Sequence, residues 1–306
     1  LNKLPDLEKL LKKIDFLSYE KSVPLSKYTT WKVGGPAEFF AMVSSEKALL
    51  ELIEITVENS TPIFVIGNGS NLLVSDSGLR GVVIRLSGEL ARVLCGEEEV
   101  FAGGGALLSQ VIVEATRSGL SGLEFAFGIP GTIGGGVMTN AGAFSGRVSD
   151  VLANIRALDM NGRTKMYESF TGRYREPLIP PDEIVIGASF KMIKDSKEKV
   201  EKRLDEVRAK RKKTQPWGMA TAGSVFKNPE SAFAGELIEK CGLKGKRVGG
   251  AKISETHANF IINTGDASAS DIYALIELAR SAVAERFGVV LELEVQLVGF
   301  SSEVVG

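Results

Sequence analysis

At 306 residues, 44% hydrophobic and 25% charged, the chain is long enough for two or three domains with cores that need no covalent staples. A balance of 37 basic and 38 acidic residues leaves a net charge of −1, which excludes a global field favouring nucleic acid or a membrane surface, so an anionic ligand must be held locally. Cys95 and Cys241 have no CxxC spacing and His257 is the single histidine, a set that argues against a metal site and fits a reducing cytoplasm.

In chain order, LNKLPDLEKLLKKIDF reads as a charged amphipathic segment rather than a signal peptide, and no apolar run is long enough to span a bilayer. Asp6 is placed to cap a first helix carrying the stripe Leu7, Leu10, Leu11 and Ile14. Tyr28 to Met42 reads as a short strand, a turn at Gly34-Gly35-Pro36 and a second strand. Ser44 and Ser45 precede a helix in which Leu49, Leu52, Ile53 and Val57 recur at helical spacing. A buried-type strand from Thr61 then runs directly into Gly67-Asn68-Gly69-Ser70-Asn71, a candidate phosphate loop. It is not the Rossmann fingerprint, because Leu72 stands where the third small residue is required. No GxxxxGK[ST] occurs either, since Gly245-Lys246 is followed by Arg247.

Gly78 to Phe101 reads as a meander of short strands, and Gly103-Gly104-Gly105 leads into a helix over Leu107 to Ser118 with Leu108, Val111, Ile112 and Ala115 inward. The stretch SGLEFAFGIPGTIGGGVMTNAGAFSG, Ser121 to Gly146, organises the rest of the chain. Seven glycines fall between Gly128 and Gly146, a density that no helix or strand favours, because each costs roughly 0.5 to 1 kcal/mol in regular structure. Such a run suits backbone amides converging on an anion such as a pyrophosphate, with Phe125, Phe127, Ile129, Ile133 and Val137 as core anchors. A tight structural turn in a large sheet protein is the alternative.

Strands return at Ile155–Asp159, Lys165–Tyr167 and Ile184–Phe190, with a hairpin signal at Asn161-Gly162 and a basic, aromatic turn over Phe170 to Glu176. Lys194 to Lys213 reads as a solvated helix with Val200, Leu204 and Val207 on one side; Arg211, Lys212 and Lys213 suit either a diphosphate or the helix macrodipole. Ser268 and Asp271 form a capping-box pattern before a helix with the stripe Ile272, Leu275, Ile276, Ala279 and Val283. Val289 to Val298 reads as a closing strand, with Glu292, Glu294 and Gln296 on one face and Val289, Leu291, Leu293, Val295 and Leu297 on the other.

Seven segments in this order, TTWKVGGPAEFF, GNGSNLLVSD, GLEFAFGIPGTIGGGVMTNAGAFSG, Tyr174-Arg175, AGSVFKNP, KISETHANFIIN and FGVVLELEV, make nearly the whole chain resemble the UDP-N-acetylenolpyruvoylglucosamine reductase (MurB) family. The resemblance implies an α+β fold: a two-subdomain FAD-binding unit of the vanillyl-alcohol-oxidase (PCMH) type, over 1–80 and 81–193, a connecting helix, 194–214, and a substrate-binding domain, 215–306. It implies cytoplasmic reduction of UDP-N-acetylglucosamine enolpyruvate to UDP-N-acetylmuramate for peptidoglycan, with FAD as cofactor, NADPH as hydride donor, and neither nucleic acid nor membrane as partner. FAD would be cradled by Gly67, Asn68, Gly69, Ser70 and Asn71, and by Gly128, Ile129, Pro130, Gly131, Thr132, Gly134, Gly135 and Asn140. Ser224 matches the family's proton donor, Arg175 its active-site arginine and Glu294 its active-site glutamate. Tyr174, Lys227 and Asn228 are the expected substrate contacts, and His257 is expected to pack rather than catalyse.

The pattern departs from the family at Glu176-Pro177-Leu178, where a serine usually follows the arginine, and at Gln296, where an arginine is usual. The short interval from Arg175 to Ser224 resembles the family's second type, which lacks an inserted loop and its substrate-covering tyrosine. Two other functions compete: a flavoenzyme of the same fold acting on a hydroxy acid or sugar, which would lack the Ser224 motif and terminal glutamate, and a non-catalytic nucleotide-sugar binding protein, which would need no flavin.

Overall fold

The computed structural model describes residues 7–144, 146–172 and 174–300; the expected cap Asp6 lies outside them. In chain order α1 (Leu7–Leu11) precedes β1 (Leu17–Pro24), β2 (Pro36–Val43), α2 (Glu46–Glu58), β3 (Ile63–Val65), β4 (Leu72–Val74) and β5 (Leu79–Leu86). Next come β6 (Val93–Cys95), β7 (Glu99–Gly103), α3 (Leu108–Arg117), β8 (Leu120–Ser121), α4 (Ile133–Met138), β9 (Gly142–Ala143) and β10 (Gly146–Arg147). The chain continues through β11 (Leu152–Leu158), β12 (Thr164–Tyr167), β13 (Ile184–Lys191), β14 (Ile193–Lys194) and α5 (Lys197–Thr214). It ends with α6 (Ala234–Lys240), β15 (Arg247–Val248), β16 (Ala251–Ile253), β17 (Ile261–Asn263), α7 (Ala269–Phe287) and β18 (Gln296–Val298). The content is α+β, divided between two compact units: the described residues of 1–21, 39–68 and 80–209, and those of 22–38, 69–79 and 210–306. Residues 22–38 and 69–79, placed by the sequence division in the N-terminal 80, thus cluster with the C-terminal segment.

The first unit holds a four-stranded sheet in the order β1-β2-β5-β3 and a five-stranded antiparallel sheet in the order β12-β11-β13-β7-β6. The expected meander over Gly78 to Phe101 is therefore split. β5 pairs in parallel with β3, Ile63 opposite Val82 and Val65 opposite Ile84, while β6 and β7 belong to the other sheet. Val82, Val83 and Ile84 are buried in succession, the pattern of a strand covered on both faces rather than of a half-solvated meander strand. On one side Leu7, Leu11 and Ile14 pack with Leu49, Leu52 and Ile53 of α2, whose start is capped by the Ser45 hydroxyl accepting from the Ala48 amide at 3.1 Å. Val57 leaves the expected stripe and is 53% exposed. A second core gathers Leu108, Val111, Ile112 and Ala115 of α3 with Ile155, Ala188 and Phe190.

The glycine-rich stretch is not wholly irregular, contrary to expectation: Ile133–Met138 is helical. Thr132 caps it, accepting from the Gly135 amide at 3.2 Å, and Ile133, Gly136 and Val137 are buried. Its glycines lower helix propensity but permit close contact with Gly104, whose carbonyl accepts from the Gly134 amide at 2.8 Å. Tertiary packing decides here.

The second unit is built on α7. Both halves of its capping box form: the Asp271 amide donates to the Ser268 hydroxyl at 3.0 Å and the Ser268 amide to the Asp271 carboxylate at 2.9 Å. All five stripe residues, Ile272, Leu275, Ile276, Ala279 and Val283, are buried. Around them lie α6, the antiparallel β15-β16-β17 sheet and the parallel pair β18-β4. The strand expected at Tyr28–Val33 is absent. Trp31 is fully buried instead, its indole N–H donating to the Ile261 carbonyl at 2.7 Å, and Lys32 takes a φ of +58°, so the local chain follows the ring rather than a ladder. The closing strand is also shorter than expected. Its inward residues Leu291 and Val295 are buried as the alternation requires, but Glu294 and Val295 bend so that both amides donate to the Val225 carbonyl, at 2.8 and 3.3 Å.

Candidate active site

In the first unit β3 ends at the Gly67-Asn68 corner, which lies against the glycine-rich loop. The Asn68 carboxamide donates to the Pro130 carbonyl at 2.6 Å, and a Cβ on Gly67 would meet the Thr132 hydroxyl at 2.5 Å. Gly67 is therefore glycine because of close approach. Leu108 donates to the Gly131 carbonyl at 2.9 Å and Ile133 to the Ala106 carbonyl at 2.8 Å, which tie both ends of this segment down. Gly128 turns at a φ of +77°, and Ile129 packs on the neighbouring core. Buried Asn140, at a φ of +40°, accepts from the Ser149 amide at 3.1 Å.

The amides divide into two sets. Those of Gly134 and Gly135 are committed to Gly104 and Thr132, so these two glycines supply contact rather than donors. Those of Gly67, Asn68, Gly69, Ser70 and Asn71, and of Gly131 and Thr132, donate to no protein group among the described residues. Successive amides without protein acceptors among the described residues, on a turn where Gly67 and Gly69 leave no room for a Cβ, fit an anionic group such as a diphosphate. Gly69, the buried centre of that turn, sits at a φ of +58° with its missing Cβ against the Tyr28 carbonyl.

Arg175, also in the first unit, holds a φ of +57°, a conformation that L-residues other than glycine adopt rarely and at a cost of order 1 to 3 kcal/mol. Its guanidinium donates to the Gly142 carbonyl at 3.1 Å and lies 5.5 Å from the centre of the half-exposed Tyr174 ring. Nearby, Ser121, the Gly122 amide and Arg203 all donate to Glu124. Burial raises the Glu124 pKa, but these donors together with the Glu124 amide outweigh it and hold the carboxyl below its ordinary value.

In the second unit Ser224 begins the strip Ser224–Asn228, held on both edges. The amides of Val225 and Phe226 donate to the Asn259 carbonyl and carboxamide oxygen, each at 2.9 Å, and the Lys227 amide donates to the Glu292 carbonyl at 2.9 Å. Glu294 donates its amide to Val225, and its carbonyl accepts from the Asn71 carboxamide at 3.0 Å, so Asn71, Ser224 and Glu294 lie together within this unit. The two carboxylates of the terminal segment are thereby separated. Glu292 is exposed and pairs with Lys227 at 3.4 Å, whereas Glu294 is half-buried at the bend. The Asn228 carboxamide oxygen accepts from the Ala234 amide at 3.1 Å at the start of α6.

A cleft of ≈ 260 Å³ opens beside this strip, lined by Ser224, Asn228, Phe233, Thr256, His257 and Asn259 among others. His257 accepts the Asn259 amide at Nδ1 at 3.3 Å and packs its ring 4.9 Å from that of Phe260. Burial first, and Lys244 second, push its pKa below the ordinary 6.5. The neutral ring then carries its proton on Nε2.

Comparison with known proteins places the chain in a family. The model of the UDP-N-acetylenolpyruvoylglucosamine reductase C-terminal domain matches residues 215–298, and that of an FAD binding domain matches 37–166. The reductase of Clostridium novyi (strain NT) is 42% identical over 302 residues, 97% of this chain and 98% of that one. This chain belongs to the UDP-N-acetylenolpyruvoylglucosamine reductase family. The reductase of Desulforamulus reducens is 43% identical over 286 residues, 92% of this chain and 94% of its own. The crystal structure of the Thermus caldophilus reductase (MurB) superposes with a TM-score of 0.80 at 39% identity, over 92% of this chain and 100% of that one. A Phl p 4 variant described as a glucose oxidase shares the fold at a TM-score of 0.51 and 11% identity, over 93% of this chain and 59% of that one.

Two contributors carried no functional assignment in the sequence. Gly104 supports the glycine-rich helix at a point where a Cβ would collide with the Val185 carbonyl; the triple glycine 103–105 was its only signal. Asn259 holds the Ser224 strip, and nothing in HANF distinguishes it from a packing residue.

Proposed function

We propose that the chain is an FAD-containing, NADPH-dependent oxidoreductase that reduces UDP-N-acetylglucosamine enolpyruvate to UDP-N-acetylmuramate, in peptidoglycan precursor synthesis. Family membership over nearly the whole chain carries this reading. The labour divides between an FAD-binding unit of the vanillyl-alcohol-oxidase type within 1–193 and a substrate-binding domain built on 215–306, with which residues 22–38 and 69–79 cluster. A cytoplasmic location accords with the two free cysteines. The amides of Gly67–Asn71, with those of Gly131 and Thr132, would hold the cofactor's diphosphate, and Gly128, Ile129, Pro130, Gly134, Gly135 and Asn140 would line the loop around it.

FAD, when bound, would supply the hydride-transfer chemistry that links NADPH to the enolpyruvyl methylene carbon. The rest of the reaction falls to the protein's own side chains. Negative charge develops on the adjacent carbon and its carboxylate. Arg175 binds that carboxylate through its planar donor fork, and Glu294 stabilises the developing enolic form through a shared hydrogen bond. Ser224 delivers the proton to the carbon; its hydroxyl is a weak acid, but a carbanion-like centre is a strong base. Tyr174 orients Arg175, while Lys227 and Asn228 bind the UDP-sugar.

The test is an anaerobic visible spectrum of the FAD-loaded protein. Bleaching by NADPH and recovery on adding UDP-N-acetylglucosamine enolpyruvate are expected. Bleaching without recovery would reject the substrate, and failure of the folded protein to take up FAD would reject the enzyme.

A further inference from the structure

The hydroxyl of Ser224 forms no hydrogen bond with another protein group among the described residues, so its position is set by the adjoining backbone of Val225 and Phe226. Three of the four polar groups of Asn259 are committed to that backbone. The main-chain carbonyl accepts from Val225 at 2.9 Å, the carboxamide oxygen accepts from Phe226 N–H at 2.9 Å, and the carboxamide nitrogen donates to the Phe226 carbonyl at 2.8 Å. The fourth, its own amide, donates to His257 Nδ1 at 3.3 Å. The side chain thus acts as a one-residue strand partner on the edge of Val225–Lys227 opposite Glu292 and Glu294, and it is 3% exposed. Buried hydrogen bonds of this kind resist displacement because a lost partner leaves an unsatisfied group out of reach of water.

We infer that Asn259 is a positioning residue for proton delivery: its carboxamide holds both the N–H and the C=O of Phe226 and so fixes the strip that places the Ser224 hydroxyl in the cleft. This rests on Ser224 being the proton donor. Hydride transfer from NADPH does not use Ser224, so Asn259 should affect the two halves of the reaction unequally. A misplacement of about 1 Å can cost on the order of 100-fold in a step that needs aligned groups.

The test measures both half-reactions by anaerobic stopped flow on holoenzyme, for Asn259→Ala, Asn259→Asp, Ser224→Ala and the Ser224→Ala/Asn259→Ala pair. Asn259→Asp preserves size and the acceptor for Phe226 N–H but loses the donor to the Phe226 carbonyl. The expected result is flavin reduction by NADPH within about twofold of the parent and reoxidation by substrate slower by roughly 100-fold in Asn259→Ala. On the Ser224→Ala background the same substitution should add less than about threefold, because both changes act through one group. Equal losses in both half-reactions, the same loss on both backgrounds, or failure of both Asn259 variants to bind flavin would overturn the inference. Normal reoxidation in Asn259→Ala beside slow reoxidation in Ser224→Ala would overturn the positioning role alone. Normal reoxidation in Ser224→Ala would remove the proton donor and the inference with it.

Discussion

The turn at Gly67–Asn71 and the strip at Ser224–Asn228 use the backbone in opposite ways. Among the described residues the first leaves successive amides without protein acceptors and excludes a Cβ at Gly67 and Gly69 by close approach; the second commits the amides of Val225, Phe226 and Lys227 to neighbouring chain and leaves side chains to act. A turn that recognises through main chain is sensitive to added atoms. A strip that acts through side chains is sensitive to their removal. The contrast predicts which substitutions damage cofactor binding and which damage chemistry.

The largest effect is expected where a Cβ enters the first turn. Gly69→Ala places a methyl against the Tyr28 carbonyl at a φ of +58° and should destabilise by roughly 1 to 3 kcal/mol, with loss of bound flavin. Flavin absorbance after gel filtration, with a thermal melt, reads both; retention of flavin at parental stability would break the comparison. In the second unit, Glu294→Gln should slow substrate-driven reoxidation by about 10² to 10³, the size of a lost oxyanion-type contact, with flavin content unchanged. Glu292→Gln, two residues away but exposed in a surface pair, should change the same rate by less than about threefold. Equal effects at the two positions would erase the distinction drawn from the bend at Glu294.

Thr132→Val removes the cap of the glycine-rich helix and should lower stability by about 1 kcal/mol, measured by urea unfolding. The smallest effect concerns His257. Its folded pKa lies below 6.5, so the unfolded chain binds a proton first as pH falls, and this part of the stability is complete above 6.5 and lost progressively below it. His257→Gln should flatten that slope in urea midpoints taken on either side of 6.5, and an unaltered slope would assign it to other groups.

The parts legible in the sequence are those where local pattern and packing agree. The stripe and capping box of α7, the Ser45 cap of α2 and the inward face of α3 follow from spacing, because each helix buries one apolar face and little else acts on it. The helix at Ile133–Met138 was hidden because a tertiary contact with Gly104 overrides the cost of three adjacent glycines. The parallel pairing of β5 with β3 was hidden because sequence neighbours suggest a meander while the partner lies before β4. For the candidate site, the turn at Gly67–Asn71 was visible as glycine spacing, whereas Ser224, Arg175 and Glu294 came only through family resemblance. Arg175 carries its mark in a backbone angle and Glu294 in a bend, neither of which composition or periodicity records. Asn259 shows why: its role lies in which peptide it bridges, a property of distance in space rather than in sequence.

In the proposed mechanism Ser224 supplies the proton that completes reduction of the substrate. Its most direct measurement is the pair of half-reactions in Ser224→Ala holoenzyme. The account predicts flavin reduced by NADPH at the parental rate and then held reduced in the presence of UDP-N-acetylglucosamine enolpyruvate, with reoxidation slower by at least roughly 100-fold, as expected for loss of a general acid. Reoxidation at the parental rate would contradict it.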